Sequence, residues 1–329
     1  MKLSEVAPLR TFALLGPGFS PSRRFTLVTD LVADPTAPRV VFAPYEAAAD
    51  AWQHFDGNVH ALETLELDVP PQPLEPLLDE RGHADAVHAI RALIASGDVY
   101  QVNFTLRARL ADVPGASVFS RLCQRGVPAF AAWARFPDGT EIVSASPELL
   151  FEISGDVVRS EPMKGTAPPH ARAALEQSTK DRAELAMITD LVRNDLTPLC
   201  VPRSVRVVND RRIIELPYAL QTVSDVHGTL LPKATPLDVL AALHPPGSVT
   251  GAPKNAARDI ITTLETAPRG AYCGALGFIH GADAAFSVLI RTAQRTPGGW
   301  VYGVGGGIVW DSDAAAELEE SRLKLGALS

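Results

Sequence analysis

A chain of 329 residues, 46% hydrophobic and 21% charged, is long enough for one large domain or two ordinary ones and has the composition of a folded globular protein. Its net charge of -8, with no block of like charges, argues against nucleic acid as a partner and leaves any anionic ligand in need of local positive groups or a metal. Three scattered cysteines, Cys123, Cys200 and Cys273, supply neither a disulfide framework nor a CxxC pair, and no apolar run approaches membrane-spanning length, so a reducing cytoplasmic setting is expected.

Met1 to Glu5 carries an early acid before the brief apolar run Phe12 to Leu15, a poor signal peptide. Residues 1–76 read as a β-rich segment with strands over 25–32 and 39–43, closed by the linker-like Val69-Pro70-Pro71-Gln72-Pro73; residues 77–329 carry every motif with chemistry. Val87, Ile90, Leu93 and Ile94 predict a helix over 84–96 that Gly97 ends. A strand with one polar face follows, because Gln101, Asn103, Thr105 and Arg107 alternate with apolar residues. Further strands are predicted over 130–136, 141–144, 149–153 and 157–160, and then Glu161-Pro162-Met163-Lys164-Gly165-Thr166 holds a lysine on a constrained turn between proline and glycine. The pattern continues with a helix over 180–196, strands over 205–209 and 219–226, and a helix over 237–243. Beyond the loop 245–254 come a helix over 256–264, strands over 272–280, 286–294, 300–304 and 308–310, and a last helix over 313–324. Strands in series with irregularly interspersed helices indicate an α+β fold.

Two pairs of carboxylates stand at i,i+3 on predicted helices, Asp181 with Glu184 and Glu317 with Glu320, so each pair projects from one face. Solvated faces with ion pairs such as Glu320 and Lys324 explain them; so does an arrangement facing each other across a site, where hard oxygen ligands hold Mg²⁺. Gly303 to Ile308 lacks the last glycine of a dinucleotide fingerprint, and Gly247 to Lys254 lacks the ending of a P-loop, yet both expose backbone N–H groups suited to an anion. Arg291, on an otherwise apolar strand, needs an anion or acid if buried.

In order along the chain stand Gly-Asp-Val-Tyr-Gln-Val-Asn from Gly97, Ser-Pro-Glu from Ser146, Pro-Met-Lys-Gly-Thr from Pro162 and Asp-Leu-Val-Arg-Asn-Asp-Leu from Asp190. Gly-Ser-Val-Thr-Gly-Ala-Pro-Lys from Gly247, Arg-Gly-Ala-Tyr-Cys-Gly-Ala-Leu-Gly from Arg269, Ile-Arg-Thr from Ile290 and Gly-Gly-Gly-Ile-Val-Trp-Asp-Ser-Asp from Gly305 complete the series. Over residues 84–329 the chain therefore resembles the chorismate-utilising enzyme family. The resemblance implies two large antiparallel β-sheets packed face to face with helices outside, bound Mg²⁺, and chorismate as substrate.

Within that family, a water-activating lysine stands in isochorismate and salicylate synthases where this chain has Gln101, and anthranilate synthases generally carry alanine where it has Lys164. The resemblance thus implies amination of chorismate to 4-amino-4-deoxychorismate, on the way to p-aminobenzoate and folate, with ammonia from a separate glutamine amidotransferase. Lys164 is implied as nucleophile at ring C2 and Glu148 as the acid that protonates the leaving C4 hydroxyl. Glu184 and Glu320, with Asp181 and Glu317 beside them, are implied at the metal. Gln101, Gly165, Thr166, Tyr272, Arg291, Gly306, Gly307 and Lys324 are implied around the substrate. Gln221 stands where many anthranilate synthases have a histidine, and Leu185 replaces the histidine that often follows the metal-face glutamate. The segment before Ala84 is shorter than in full-length relatives and shows no recognisable tryptophan-binding motif, so the resemblance does not extend to feedback control by tryptophan and leaves it open. An anthranilate synthase component, or a chorismate-binding partner of an amidotransferase without turnover, are the alternatives.

Overall fold

A computed structural model describes residues 1–329 apart from Pro21, Pro35, Pro217, Tyr218 and Ser329. The chain begins with the short helix α1 (Leu3–Val6) and the strands β1 (Phe12–Leu15), β2 (Phe25–Leu31), β3 (Arg39–Ala43), β4 (Gln53–Leu62) and β5 (Leu77–Leu78). Then come α2 (His83–Ser96), β6 (Gln101–Leu110), α3 (Gly115–Cys123), β7 (Phe130–Arg135), β8 (Glu141–Ser146), β9 (Leu149–Ser154), β10 (Val157–Ser160) and β11 (Met163–Ala167). Helices α4 (Arg172–Gln177) and α5 (Thr179–Leu196) lead to the hairpin of β12 (Arg206–Leu216) and β13 (Ala219–Thr229), then α6 (Pro236–Leu243), β14 (Gly251–Ala252) and α7 (Lys254–Leu264). The last part is β15 (Ala275–His280), β16 (Asp283–Val288), β17 (Thr292–Thr296), β18 (Gly299–Ile308) and α8 (Ala314–Leu325).

These strands make two antiparallel sheets. One runs β4–β2–β1–β7–β8–β17–β18–β6, with β5 and β14 sharing the outer edge of β6. The other runs β4–β3–β15–β16–β9–β10–β13–β12, with β11 beside β13 next to β10. The long strand β4 belongs to both, because residues 53–56 pair with β3 and residues 57–62 with β2.

The period-2 alternation of each strand sorts its side chains into separate cores. Ala13, Leu15, Ala132 and Ala134 of the first sheet meet Val40, Phe42, Leu276 and Phe278 of the second between the sheets. Their neighbours Phe12, Leu14 and Trp133 point the other way, into a core shared with Val87 and Ile90 of α2, Phe119 of α3 and Ile261 of α7. On the outer face of the second sheet, Phe151 and Phe286 pack with Val192 and Leu196 of α5 and Leu240 of α6. The result is an α+β fold of helices, sheet, sheet, helices. Burying each such Leu, Val or Phe stabilises the fold by about 1.5–3 kcal/mol. Among the described residues no helix is long and apolar enough to cross a membrane.

Three expectations are corrected. The Met163-Lys164-Gly165-Thr166 turn is instead a strand, β11, bulged where the register shifts between Lys164 and Thr166, with Gly165 at φ 72°. The continuous strand expected over 286–294 breaks after Val288 and resumes at Thr292, which leaves Arg291 in the break at φ 52° rather than on a strand. The strands expected over 300–304 and 308–310 are one continuous strand, β18, which runs to Ile308 and pairs with β6 through Gly305, Gly306 and Gly307; at Gly305 the close β6 backbone leaves no room for a Cβ. Helix α3 and strands β1 and β4 were not anticipated.

Candidate active site

Five elements converge where the first sheet's edge meets α5. β6 presents Gln101 and Asn103, which are 0% and 7% exposed. Opposite them on β18 run Gly305, Gly306 and Gly307, paired with Thr105, Phe104 and Asn103. A Cβ at Gly307 would lie 2.0 Å from Gln101 Nε2, so this strand carries glycine to make room for the Gln101 amide.

β11 brings Lys164 into the same space through its bulge. At Gly165 a Cβ would stand 2.9 Å from Asp181 Cγ, so glycine both permits the positive φ and lets the first turn of α5 approach the bulge. Ser178 caps that helix by accepting from the Asp181 N–H at 3.1 Å. Lys164, its side chain 10% exposed, donates from Nζ to Asn103 Oδ1 at 3.4 Å and stands 4.0 Å from Glu184 Oε2. Burial lowers its pKa against the opposing pull of Glu184 and Glu148, with Lys324 helping and Glu320 opposing. Gln101 Nε2 donates to the same Glu184 oxygen at 3.2 Å. Burial raises the Glu184 pKa, Lys164 and Lys180 oppose this, and Asp181 adds to it.

Glu148, 4% exposed at the turn between β8 and β9, accepts from Ser248 Oγ at 2.6 Å. Burial pushes its carboxyl up to about 7 against the Ser248 hydrogen bond and the charge of Lys164. Near neutral pH an appreciable fraction of Glu148 is therefore protonated and able to donate.

From the other side α8, capped by Asp313, presents Glu317 and Glu320 beneath Gly306. Glu317 accepts from Ser312 Oγ through Oε1 at 2.6 Å, while Oε2 lies 3.2 Å from the position a Gly306 Cβ would take. Glu320 Oε1 is 3.6 Å from that same position and pairs with Lys324 at 2.7 Å. Lys324 and the Glu320–Lys324 hydrogen bond hold the Glu320 carboxyl below its usual range although burial acts to raise it.

Among the described residues no three His, Cys, Asp or Glu side chains converge to form a metal cage on their own. The donor set nonetheless has the hard oxygen chemistry that suits Mg²⁺, which takes one or two carboxylates, keeps several waters and shares its shell with an anionic substrate. Buried polar atoms without a partner also face this region: Gln101 Oε1 and Asn103 Nδ2, together with Gln221 Oε1. Such atoms cost free energy unless water or a ligand satisfies them.

The structure thus gathers Lys164, Glu148, Gln101, Gly165, Asp181, Glu184, Gly306, Gly307, Glu317, Glu320 and Lys324. Thr166 joins through Gln221, whose Nε2 donates to Thr166 Oγ1 at 3.2 Å. Tyr272 is placed farther along β18, with its ring against Gly303, where a Cβ would lie 2.0 Å from Cδ1; burial raises its pKa well above the ordinary value. Arg291 is held in the strand break with its carbonyl accepting from the Ala145 N–H at 3.0 Å, its pKa lowered by burial and raised in part by Tyr302. Sequence reasoning passed over Asn103 and Ser248. Asn103 stood on the alternating polar face of β6, and Ser248 stood within the Gly247 to Lys254 motif, so the signal for both was present.

Residues 11–329 match the family described as chorismate binding enzyme. The chain is 38% identical over 256 residues to anthranilate synthase component 1 of Haloarcula marismortui, covering 74% of this chain and 52% of that protein. It is 36% identical over 250 residues to aminodeoxychorismate synthase component 1 of Salmonella typhimurium, covering 73% of this chain and 55% of that protein. The chain spans about half the length of these curated relatives. Its fold matches the crystal structure of anthranilate synthase component I from Streptococcus pneumoniae with a TM-score of 0.77 at 22% identity, over 98% of this chain and 93% of that one. With a family match over nearly its whole length, the chain belongs to the chorismate-binding enzymes.

Proposed function

We propose that this protein aminates chorismate to 4-amino-4-deoxychorismate through a covalent intermediate on Lys164. The observation that carries the reading is that amine itself: enclosed, depressed in pKa by burial, and set in one site with an acid, Glu148, whose carboxyl is raised to about 7. An acid-assisted displacement by an amine needs a lysine that gives up its proton more readily and a carboxyl that keeps one, and burial moves each group in that direction.

Lys164 Nζ adds to ring C2 as the C4 hydroxyl leaves, taking its proton from Glu148; ammonia then adds at C4 and the C2–lysine bond breaks. Two allylic displacements replace one difficult substitution. Asn103 Oδ1 orients the amine by accepting from it. Gln101, an amide with no basic site, cannot activate water, which favours ammonia as nucleophile. Glu184 and Glu320 would hold Mg²⁺, with Asp181 and Glu317 adjacent, and when bound the ion supplies positive charge to the substrate's ring carboxylate. Gly165, Thr166, Gly306, Gly307, Lys324, Tyr272 and Arg291 remain the proposed substrate contacts.

Ammonia comes, on this reading, from a separate glutamine amidotransferase. Cys123 and Cys273 are buried with thiols pushed up to about 12, and burial also raises Cys200, so none of the three is a thiolate suited to glutamine hydrolysis. The product feeds p-aminobenzoate and folate synthesis, and a cytoplasmic setting suits both. A second reading, anthranilate synthesis, is favoured by the name of the 38% identical relative. Intact-protein mass spectrometry after mixing with chorismate and Mg²⁺ in the absence of ammonia tests the proposal: an adduct mapping to Lys164 supports it, and an unmodified Lys164 under turnover conditions contradicts it.

A further inference from the structure

Lys324 Nζ makes two short contacts, 2.7 Å to Glu320 Oε1 and 2.5 Å to the Gly305 carbonyl. The first is an ordinary i,i+4 pair on α8, the kind that stabilises a helix by a few tenths of a kcal/mol. The second anchors the ammonium to β18, and its location is not ordinary. The place a Gly306 Cβ would occupy is 3.8 Å from Lys324 Nζ, 3.6 Å from Glu320 Oε1 and 3.2 Å from Glu317 Oε2. One small cradle, open because residue 306 is glycine, therefore holds two carboxylate oxygens and one ammonium. The other Glu317 oxygen is already occupied by Ser312, which leaves Oε2 as the oxygen facing the cradle.

We propose that Lys324 is a displaceable counter-ion: it neutralises Glu320 while no divalent cation is bound, is expelled from that carboxylate when the cation binds, and then offers its ammonium to the anionic substrate. This rests on the reading of the site as one for Mg²⁺ and a dicarboxylate. A lysine suits the task because it is a point charge on a flexible stem, unlike the fixed fork of arginine. The pair is also weak enough to exchange, since the two side chains are 40% and 55% exposed and solvent screens them. Cation and substrate then help each other: whatever factor the cation adds to substrate affinity by releasing Lys324, the substrate returns to the cation.

Mn²⁺ titration followed by electron paramagnetic resonance, with Mn²⁺ standing in for Mg²⁺, tests the proposal without relying on turnover. Wild type, Lys324→Met and Glu320→Gln are compared with and without chorismate, after circular dichroism shows each to be folded. Expected without chorismate is about fivefold tighter Mn²⁺ binding by Lys324→Met than by wild type, the scale of an exposed ion pair. Chorismate tightens Mn²⁺ binding in wild type and does so less in Lys324→Met. Equal or weaker binding by Lys324→Met without chorismate overturns the counter-ion role while leaving the metal site standing. Absence of Mn²⁺ binding in wild type, or binding indifferent to Glu320→Gln, overturns the metal reading and this proposal together.

Discussion

Lys164 and Gln101 meet at a single oxygen: Glu184 Oε2 accepts from Gln101 Nε2 at 3.2 Å and stands 4.0 Å from Lys164 Nζ. The contact joins β6, β11 and α5, three elements far apart in sequence. It gives the buried amine a carboxylate close enough to matter and too distant for a full ion pair, so burial still determines the direction of its pKa. If Lys164 carries the proposed covalent step, replacing it by alanine lowers the rate of chorismate amination at least about a thousandfold, because no other amine stands in its place. Thermal unfolding should change by no more than a few degrees; single-turnover kinetics beside calorimetry separate the two effects.

Glu148 should set the alkaline limb of the pH–rate profile. Burial raises its carboxyl from the ordinary 4.5 to about 7, so the acid form that the proposed reaction would use declines as pH rises through 7. The sign for stability is the same: the contribution of the protonated group is complete below about pH 4.5 and is lost as pH rises through about 7. Glu148→Gln should therefore flatten the fall in stability between those values while abolishing turnover. Denaturant unfolding across that interval provides the check; an unchanged pH slope would count against a raised carboxyl at this position.

Gly307→Ala isolates the geometry of Gln101. The added Cβ would meet Gln101 Nε2 at 2.0 Å and force the amide off Glu184. A loss of about 1–3 kcal/mol in stability is expected from the overpacking, with a larger proportional loss of kcat. Parallel measurement of Tm and kcat decides whether the position matters beyond packing.

The site is also tied to a buried ion pair beneath it. Arg269, its side chain 1% exposed, pairs with Glu265 at 2.6 Å and donates to the Asn103 carbonyl at 2.6 Å. Arg269→Met leaves Glu265 uncompensated and should cost about 3–5 kcal/mol, visible as a lowered denaturation midpoint.

How much of this was legible in the sequence depends on how local the signal was. Helices α2 and α5 were legible from the spacing of their apolar residues, with Gly97 ending α2, and α8 from Asp313 at its start, whereas the Ser178 cap of α5 emerged only in the structure. Strand β4 did not, because it changes sheets at Gly57 and its buried side chains follow two partners in turn. Helix α3 starts at Gly115 with no side-chain cap, so nothing marked its entry. Among site residues, the motif that holds Lys164 could be read, but its bulged-strand geometry could not, since that is imposed by pairing with β13. The strand break at Arg291 is likewise a tertiary effect: the register of β16 is set by β9 and β15 and that of β17 by β8 and β18.

The most direct measurement is product identity, by chromatography with mass detection and position-specific NMR, after incubating the purified chain with chorismate, Mg²⁺ and an ammonium salt. The account predicts a product with its C4 hydroxyl exchanged for an amine and its enolpyruvyl group retained. Anthranilate, or chorismate bound but unchanged even with an amidotransferase added, would contradict it.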